Sequence, residues 1–330
     1  MLRQAVLATA FVATAFTAHA QTQSTSLKEL NFGIISTESS QNLKQIWEPF
    51  LADMEKDLGM KVKAFFASDY AGIIQGMRFG KVDVAWYGNK SAMEAVDRAN
   101  GEVFAQTVAS DGSPGYWSLL ITHKDRADLN SAEDVLKKAP ELTFGNGDPN
   151  STSGNLVPSY YVFAVNKVDA RKAFKRVTAA NHETNALTVA NKQVDVATNN
   201  TENLQRLAKT HPDKAEQIKV IWKSPLIPSD PIVWRTDLPA EAKAKIKDFF
   251  LTYGVSGPDA EKEKAVLAGL QWAPFRESSN RQLIPIRQLE LFRERTRLEA
   301  DTAMAADEKK AKMAEIDRQL AALQKETVTN

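Results

Sequence analysis

The chain repeats itself once, and this constrains its fold more than any other feature of the 330 residues. Leu30-Asn31-Phe32-Gly33 returns as Leu142-Thr143-Phe144-Gly145, and Val82-Asp83-Val84-Ala85 as Val194-Asp195-Val196-Ala197, both at an offset of 112. One matched tetrapeptide in a chain this long can arise by chance; two in one register point to duplicated units. The same shift lays Ser39-Ser40 over Ser151-Thr152, and Tyr70 over His182.

Each copy reads strand, polar loop, helix, strand, loop, helix, strand. In the first, 30–35 is an apolar run and 36–41 a polar loop. Leu43, Ile46, Trp47, Phe50, Leu51, Met54 and Leu58 then follow helical spacing, with Gly59 placed to cap the end and Pro49 expected to kink it. A strand at 62–67, a short helix around Ile73, Ile74 and Met77 closed by Gly80, and a strand at 82–86 complete the unit. The second copy gives a strand at 142–145, a helix at 152–165, a strand at 177–180, a helix at 183–191 and a strand at 194–198. Strands alternating with helices predict an α/β fold: two similar lobes with mixed, mostly parallel sheets, joined by a hinge.

Beyond the second copy, Pro225, Pro228 and Pro231 punctuate an extended stretch before Ile232-Val233-Trp234 and a helix at 241–253. This predicts a return to the first lobe. The expected boundaries are 26–118 with 233–290 for lobe one, 119–232 for lobe two, and 291–330 as a C-terminal helical segment. Met313, Ile316, Leu320 and Leu323 form a short apolar stripe there. It suits packing on its own chain or a homodimer contact.

Residues 1–20 read as an address. Arg3 supplies a positive start, 5–17 an apolar stretch too short and too rich in Ala and Thr to span a bilayer, and Ala18-His19-Ala20 a small-x-small cleavage site. Export to the periplasm as a soluble chain, cleaved near Ala20, is expected. With 42 basic and 41 acidic residues and no long basic run, no nucleic-acid partner is expected. The absence of cysteine removes disulfides, thiolate nucleophiles and zinc-thiolate sites, and neither a metal nor a cofactor is expected.

The stretch FGNGDPNSTSG (144–154) carries the most chemistry. It leaves a strand, turns through Gly147 and Asp148-Pro149, and enters a helix at Ser151-Thr152-Ser153. A helix start offers unpaired N–H groups, and three hydroxyls beside it make a donor-rich cup for an oxyanion. An ordinary N-cap needs only one of them. By the repeat, Ser39 should sit at a similar helix start facing the same cleft. Tyr70 and His182 fall where a strand ends and a short helix begins, and both can donate to an anion; a protonated His182 would add charge. Tyr116, after a glycine-proline turn, suits either an anion contact or a hydrophobic plug. Glu202 and Asp230 suit a helix dipole and a turn cap individually, and together a carboxylate pocket for a cation at the far end of an anionic ligand.

Taken in order, FGIISTE (32–38), DYAGIIQGMR (69–78), VDVAWYG (82–88), GSPGYW (112–117), GNGDPNSTSG (145–154), HETN (182–185) and PLIP (225–228) closely resemble the periplasmic phosphonate-binding proteins of ABC importers. The likeness runs from about Leu30 to Leu289. It implies a two-lobed, hinge-closing binding protein of the type II periplasmic class that is not an enzyme. Such a protein captures alkylphosphonates and delivers them to an inner-membrane permease. It implies phosphonate oxygens held by Ser151, Thr152, Tyr70, Tyr116 and His182, with Ser153 and Ser39 as further candidates. It also implies that Glu202 and Asp230 hold the ammonium of 2-aminoethylphosphonate. Two other readings compete: a binding protein for another oxyanion such as phosphite or a phosphate ester, and a periplasmic hydrolase using Ser151 or Ser153 with His182. No GxSxG elbow supports the second.

Overall fold

The computed structural model describes residues 27–328; the leader expected at 1–20 and its expected cleavage site lie outside them. Lobe one opens with β1 (Glu29–Ile34), α1 (Ser40–Leu58), β2 (Lys61–Phe65), α2 (Tyr70–Arg78), β3 (Val84–Trp86), α3 (Asn89–Arg98) and β4 (Gly101–Ala109). After β5 (Gly115–Tyr116), lobe two holds β6 (Ser118–His123), α4 (Ala132–Lys138), β7 (Thr143–Asn146), α5 (Ala170–Ala173), β8 (Arg176–Ala179), α6 (His182–Ala190) and β9 (Val196–Asn200). It ends with α7 (Thr201–Thr210), α8 (Pro212–Ala215) and β10 (Ile218–Lys223). The chain returns through β11 (Ile227–Pro228) to add β12 (Pro231–Arg235), α9 (Ala240–Thr252), α10 (Ala260–Gly269) and β13 (Trp272–Glu277), then closes with α11 (Ile284–Ala300) and α12 (Ala306–Val328).

Lobe one is built on a six-stranded sheet ordered β13-β4-β12-β3-β1-β2, lobe two on a five-stranded sheet ordered β10-β6-β9-β7-β8. Both are mixed and mostly parallel in strand direction, with β12 and β13 in the first and β6 in the second running against the rest. The repeat strands pair in parallel, β1 with β2 and β3, β7 with β8 and β9. The strands that connect the lobes or follow them, β4, β6, β10, β12 and β13, pair antiparallel. Of these, β6 and β12 enter their sheets from the other lobe and not through a βαβ crossover, so nothing enforces a parallel direction, and each lies between two strands that it opposes. At the passage between lobes, β5 and β11 form a two-stranded antiparallel ribbon with Tyr116 opposite Ile227.

The repeated tetrapeptides have a common structural cause. Asp83 accepts from the Asn31 backbone N–H at 2.8 Å, and Asp195 accepts from that of Thr143 at 2.8 Å. Each aspartate also meets an arginine, Asp83 with Arg235 and Asp195 with Arg126. Gly33 and Gly145 allow α2 and α6 to approach β1 and β7. A Cβ on Gly33 would lie 2.8 Å from Ile73 and 3.0 Å from Ala85, and one on Gly145 would lie 2.9 Å from Asn185 and 3.0 Å from Ala197. These neighbours are themselves one repeat apart.

Lobe one buries Phe32, Trp47, Phe50 and Phe250 almost completely, with Trp47 packed 5.5 Å from Trp86 and 5.3 Å from Trp272 between ring centres. Each such ring contributes about 2–3 kcal/mol by leaving water. Helix α1 ends at Gly59 in the left-handed region (φ 61°), as its position predicts. It is not broken at Pro49, which lies on the exposed face, where the carbonyl of Gln45 that loses its donor also faces water. The C-terminal stripe is covered within the chain: Ile316 and Leu320 of α12 pack with Leu298 of α11, alongside Leu291, Met304 and Met313. The apolar face offered as a homodimer contact is thereby occupied intramolecularly.

Candidate functional site

The repeat reaches into the cleft. Asp69 caps α2 by accepting from Gly72 N–H, and Asn181 caps α6 by accepting from Thr184 N–H. Tyr70 and His182 are therefore the first residues of equivalent helices, and both are buried. Between the lobes they line a cavity of about 360 Å³ of atom-free space, together with Tyr116, Ser151, Thr152, Ser153, Glu202 and Asp230. Thr37, Glu38, Trp86, Asn200, Asn203 and Arg206 complete most of its wall. Among the described residues no helix is long and apolar enough to cross a membrane.

The hydroxyl cup forms at a wide π-wound turn, 152–156, continued as a second at 159–164. Ser151 Oγ accepts from Gly154 N–H at 2.9 Å, as an N-cap. Thr152 Oγ1 accepts from the backbone N–H of Lys90, at the start of α3 in the other lobe, at 2.8 Å. Ser153 Oγ accepts from the Asn200 side-chain amide at 3.1 Å. Each oxygen thus has a protein donor, which leaves its own proton free to donate to an acceptor. Capping and anion binding are compatible uses of the same serine.

Ser39 does not join them. It caps α1 but is exposed, and its backbone N–H donates to Glu183 at 2.8 Å. The reason lies in two glycines. In lobe two Gly147 crosses Gly154 so closely that a Cβ would lie 2.5 Å from the Gly154 Cα, and this crossing folds the serines inward. The equivalent positions in lobe one are Ile35 and Asn42, which cannot approach in that way. The expectation of two matching cups is therefore corrected: lobe one contributes Thr37, Glu38 and Tyr70 instead.

The cup holds no free cation. His182 lies 3.4 Å through Nε2 from both Ser151 Oγ and Ser153 Oγ, while its buried Nδ1 has no partner. Burial, assisted by the Arg206 charge, pulls its pKa from 6.5 down to about 4. It is a neutral donor or acceptor at pH 7, so it serves through its imidazole nitrogens and adds no positive charge. With no carboxylate on Nδ1 to orient it, the ring also lacks the third member of a serine-hydrolase triad. Because the unfolded chain takes up this proton near pH 6.5 and the folded one only near 4, stability should fall as pH drops through that window. Denaturant titrations at pH 7 and 4.5 should differ by about 2–3 kcal/mol from this group. His182→Gln should lose that share of the pH dependence; an unchanged difference refutes the assignment.

On the wall of the same cavity, Tyr116 donates to Asp230 Oδ1 at 3.0 Å. Burial raises the Asp230 pKa well above the ordinary range, and the neighbouring Glu202 charge adds to this; the Tyr116 hydroxyl and Trp86 oppose it. Burial likewise raises Glu202, with Arg206 opposing. Glu202 lies in the first turn of α7, with Arg206 one turn further along. Arg206 forms an ion pair with Glu38 that spans the lobes. Neither Glu38 nor Arg206 is signalled by the repeat, since each looks like an ordinary helix or loop charge. Only the i, i+4 spacing of Glu202 and Arg206 hints that they share a face.

The family model for the periplasmic phosphonate substrate-binding proteins of ABC transporters matches residues 32–283. The phosphonates-binding periplasmic protein of Escherichia coli is 64% identical over 303 residues, covering 92% of this chain and 87% of that protein. A crystal structure of the binding protein component of an ABC phosphonate transporter from Pseudomonas aeruginosa superposes with TM-score 0.88 at 64% identity, covering 91% of this chain and 97% of the other. A phosphate-import protein of Mycolicibacterium smegmatis is 30% identical over 233 residues, covering 67% of this chain and 70% of that protein. With its two-lobed type II fold, the chain belongs to the periplasmic phosphonate-binding proteins of ABC transporters, substrate-binding components rather than enzymes.

Proposed function

We propose that this protein captures 2-aminoethylphosphonate, with Ser151, Thr152, Ser153, Tyr70, Tyr116 and His182 around the phosphonate and Glu202 and Asp230 around the ammonium. The observation that carries the reading is the lining of one cavity, in which neutral donors and two buried carboxyls come together. A zwitterion with a short linker meets both kinds of group. Closure proceeds about the β5–β11 ribbon, with 26–118 and 233–290 moving against 119–232. Only the closed form lets Thr152 and Tyr70, from different lobes, reach one ligand. The mature chain, freed of its leader near Ala20, then presents the ligand to its permease.

A second reading has its own support. Because burial raises both carboxyls, they can be neutral and donate to a bare oxyanion, so phosphate or phosphite is not repelled outright. Calorimetry with 2-aminoethylphosphonate, methylphosphonate and phosphate distinguishes the two. Glu202→Ala should weaken 2-aminoethylphosphonate about tenfold or more relative to methylphosphonate. Equal losses for both ligands exclude the ammonium role, and tightest wild-type binding to phosphate favours the second reading.

A further inference from the structure

Three helices of lobe one, α1, α2 and α3, begin against lobe two, and none carries an acid in its first turn. A helix start favours a nearby carboxylate and leaves backbone N–H groups without partners inside the helix. Lobe two supplies what is missing. The N–H of Ser39, the N-cap of α1, donates to Glu183 Oε2 at 2.8 Å, and the Asn42 side-chain amide donates to Oε1 of the same carboxylate at 2.5 Å. The N–H of Tyr70 in α2 donates to Asp148 Oδ2 at 3.1 Å, and that of Lys90 in α3 to Thr152 Oγ1 at 2.8 Å. Glu183 makes the most of these contacts, since its own backbone N–H also reaches across, to the Thr37 carbonyl at 3.3 Å. In a capping box the carboxylate that accepts from the N-cap N–H comes from the third residue of the same helix. In α1 that residue is Asn42, and the carboxylate comes instead from α6. Neither Glu183 nor Asp148 lines the ligand cavity.

We infer that Glu183 is an interlobe latch: it caps α1 from the opposite lobe and sets ligand affinity through the stability of the closed form, without touching the ligand. The inference rests on the hinge closure proposed above. Open lobes leave Glu183, Ser39 and Asn42 to water, whereas closed lobes join one carboxylate to two donors at one helix start. Bonds made only after closure slow opening rather than speed capture. They strengthen every ligand that the closed form holds by the same factor, whatever that ligand carries on its carbon.

The test measures Kd by calorimetry and dissociation rates by stopped-flow tryptophan fluorescence, for methylphosphonate and 2-aminoethylphosphonate. Glu183→Ala should weaken both about tenfold or more, by a common factor and through faster dissociation. Asn42→Ala leaves α6 and the adjacent His182 intact and should weaken both about threefold or more. The double variant should bind no more weakly than Glu183→Ala, because the two residues make one contact. Should Glu183→Ala not fold, Asn42→Ala carries the reading alone. A dissociation rate within about twofold of wild type in either variant that folds overturns the latch, as expected of a Glu183 that merely serves its own helix. A loss confined to one ligand, or losses that multiply in the double variant, overturn it as well. Small-angle scattering of the wild type with and without methylphosphonate tests closure itself. A radius of gyration that the ligand leaves unchanged overturns the hinge reading instead, so the two failures are distinguishable.

Discussion

Asp230→Asn is expected to weaken 2-aminoethylphosphonate binding about a hundredfold or more while changing methylphosphonate binding only a few-fold, since removing one charge of a buried pair costs about 2–5 kcal/mol. Asn keeps the shape of the side chain and can still accept from the Tyr116 hydroxyl, which sits 3.0 Å from Oδ1. What it removes is the negative charge. In the ligand-free protein that charge is suppressed: burial and the neighbouring Glu202 raise the Asp230 pKa well above the usual carboxylate range. An arriving ammonium reverses the balance and drives the proton off. Binding of 2-aminoethylphosphonate should therefore release protons, and affinity should rise with pH until the raised pKa is passed. Methylphosphonate carries a comparable anion and no ammonium, so it controls for ionisation of the ligand itself. Calorimetry in two buffers of different ionisation enthalpy measures the proton release. The same release in Asp230→Asn as in wild type contradicts this account.

Gly115→Ala should act differently, lowering affinity for both ligands together and destabilising the fold by about 3 kcal/mol or more. A Cβ at this position would lie 1.9 Å from the Ile227 carbonyl oxygen and 2.9 Å from its carbon. These are backbone atoms of β11, paired with β5 through Tyr116 and Ile227, so they cannot yield without opening the ribbon. The ribbon carries Tyr116 itself, and β11 leads directly to Asp230. Opening it displaces two residues of the cavity wall, Tyr116 and Asp230, and the joint between lobes at once. A thermal melt should show Tm lowered by about 5 °C or more. Wild-type Tm with wild-type affinity would mean that the ribbon does not set the geometry of the site.

Much of this architecture was legible in the chain. The 112-residue repeat placed Tyr70 and His182 at equivalent helix starts, and the structure puts them there. The run 151–153 announced a hydroxyl cup, and all three residues line the cavity. Other features were not. The repeat also proposed Ser39, which fails because Ile35 and Asn42 stand where lobe two has the crossing glycines. Which strands run against the rest, β6, β12 and β13, was not legible, because a periodicity argument does not carry strand direction. Glu38 and Arg206, 168 positions apart, gave no signal that they meet each other.

What the sequence determined alone was therefore everything that repeats or is local: two α/β lobes, capped helices at the strand ends, and a cup of hydroxyls after one of them. Tertiary structure decided what depends on burial and on opposite lobes meeting. It made His182 neutral, raised the carboxyls of Glu202 and Asp230, and joined Glu38 to Arg206. The physical reason is that hydrogen-bonding capacity belongs to a residue type, whereas charge state belongs to its surroundings: the same imidazole or carboxyl changes protonation when water is replaced by protein.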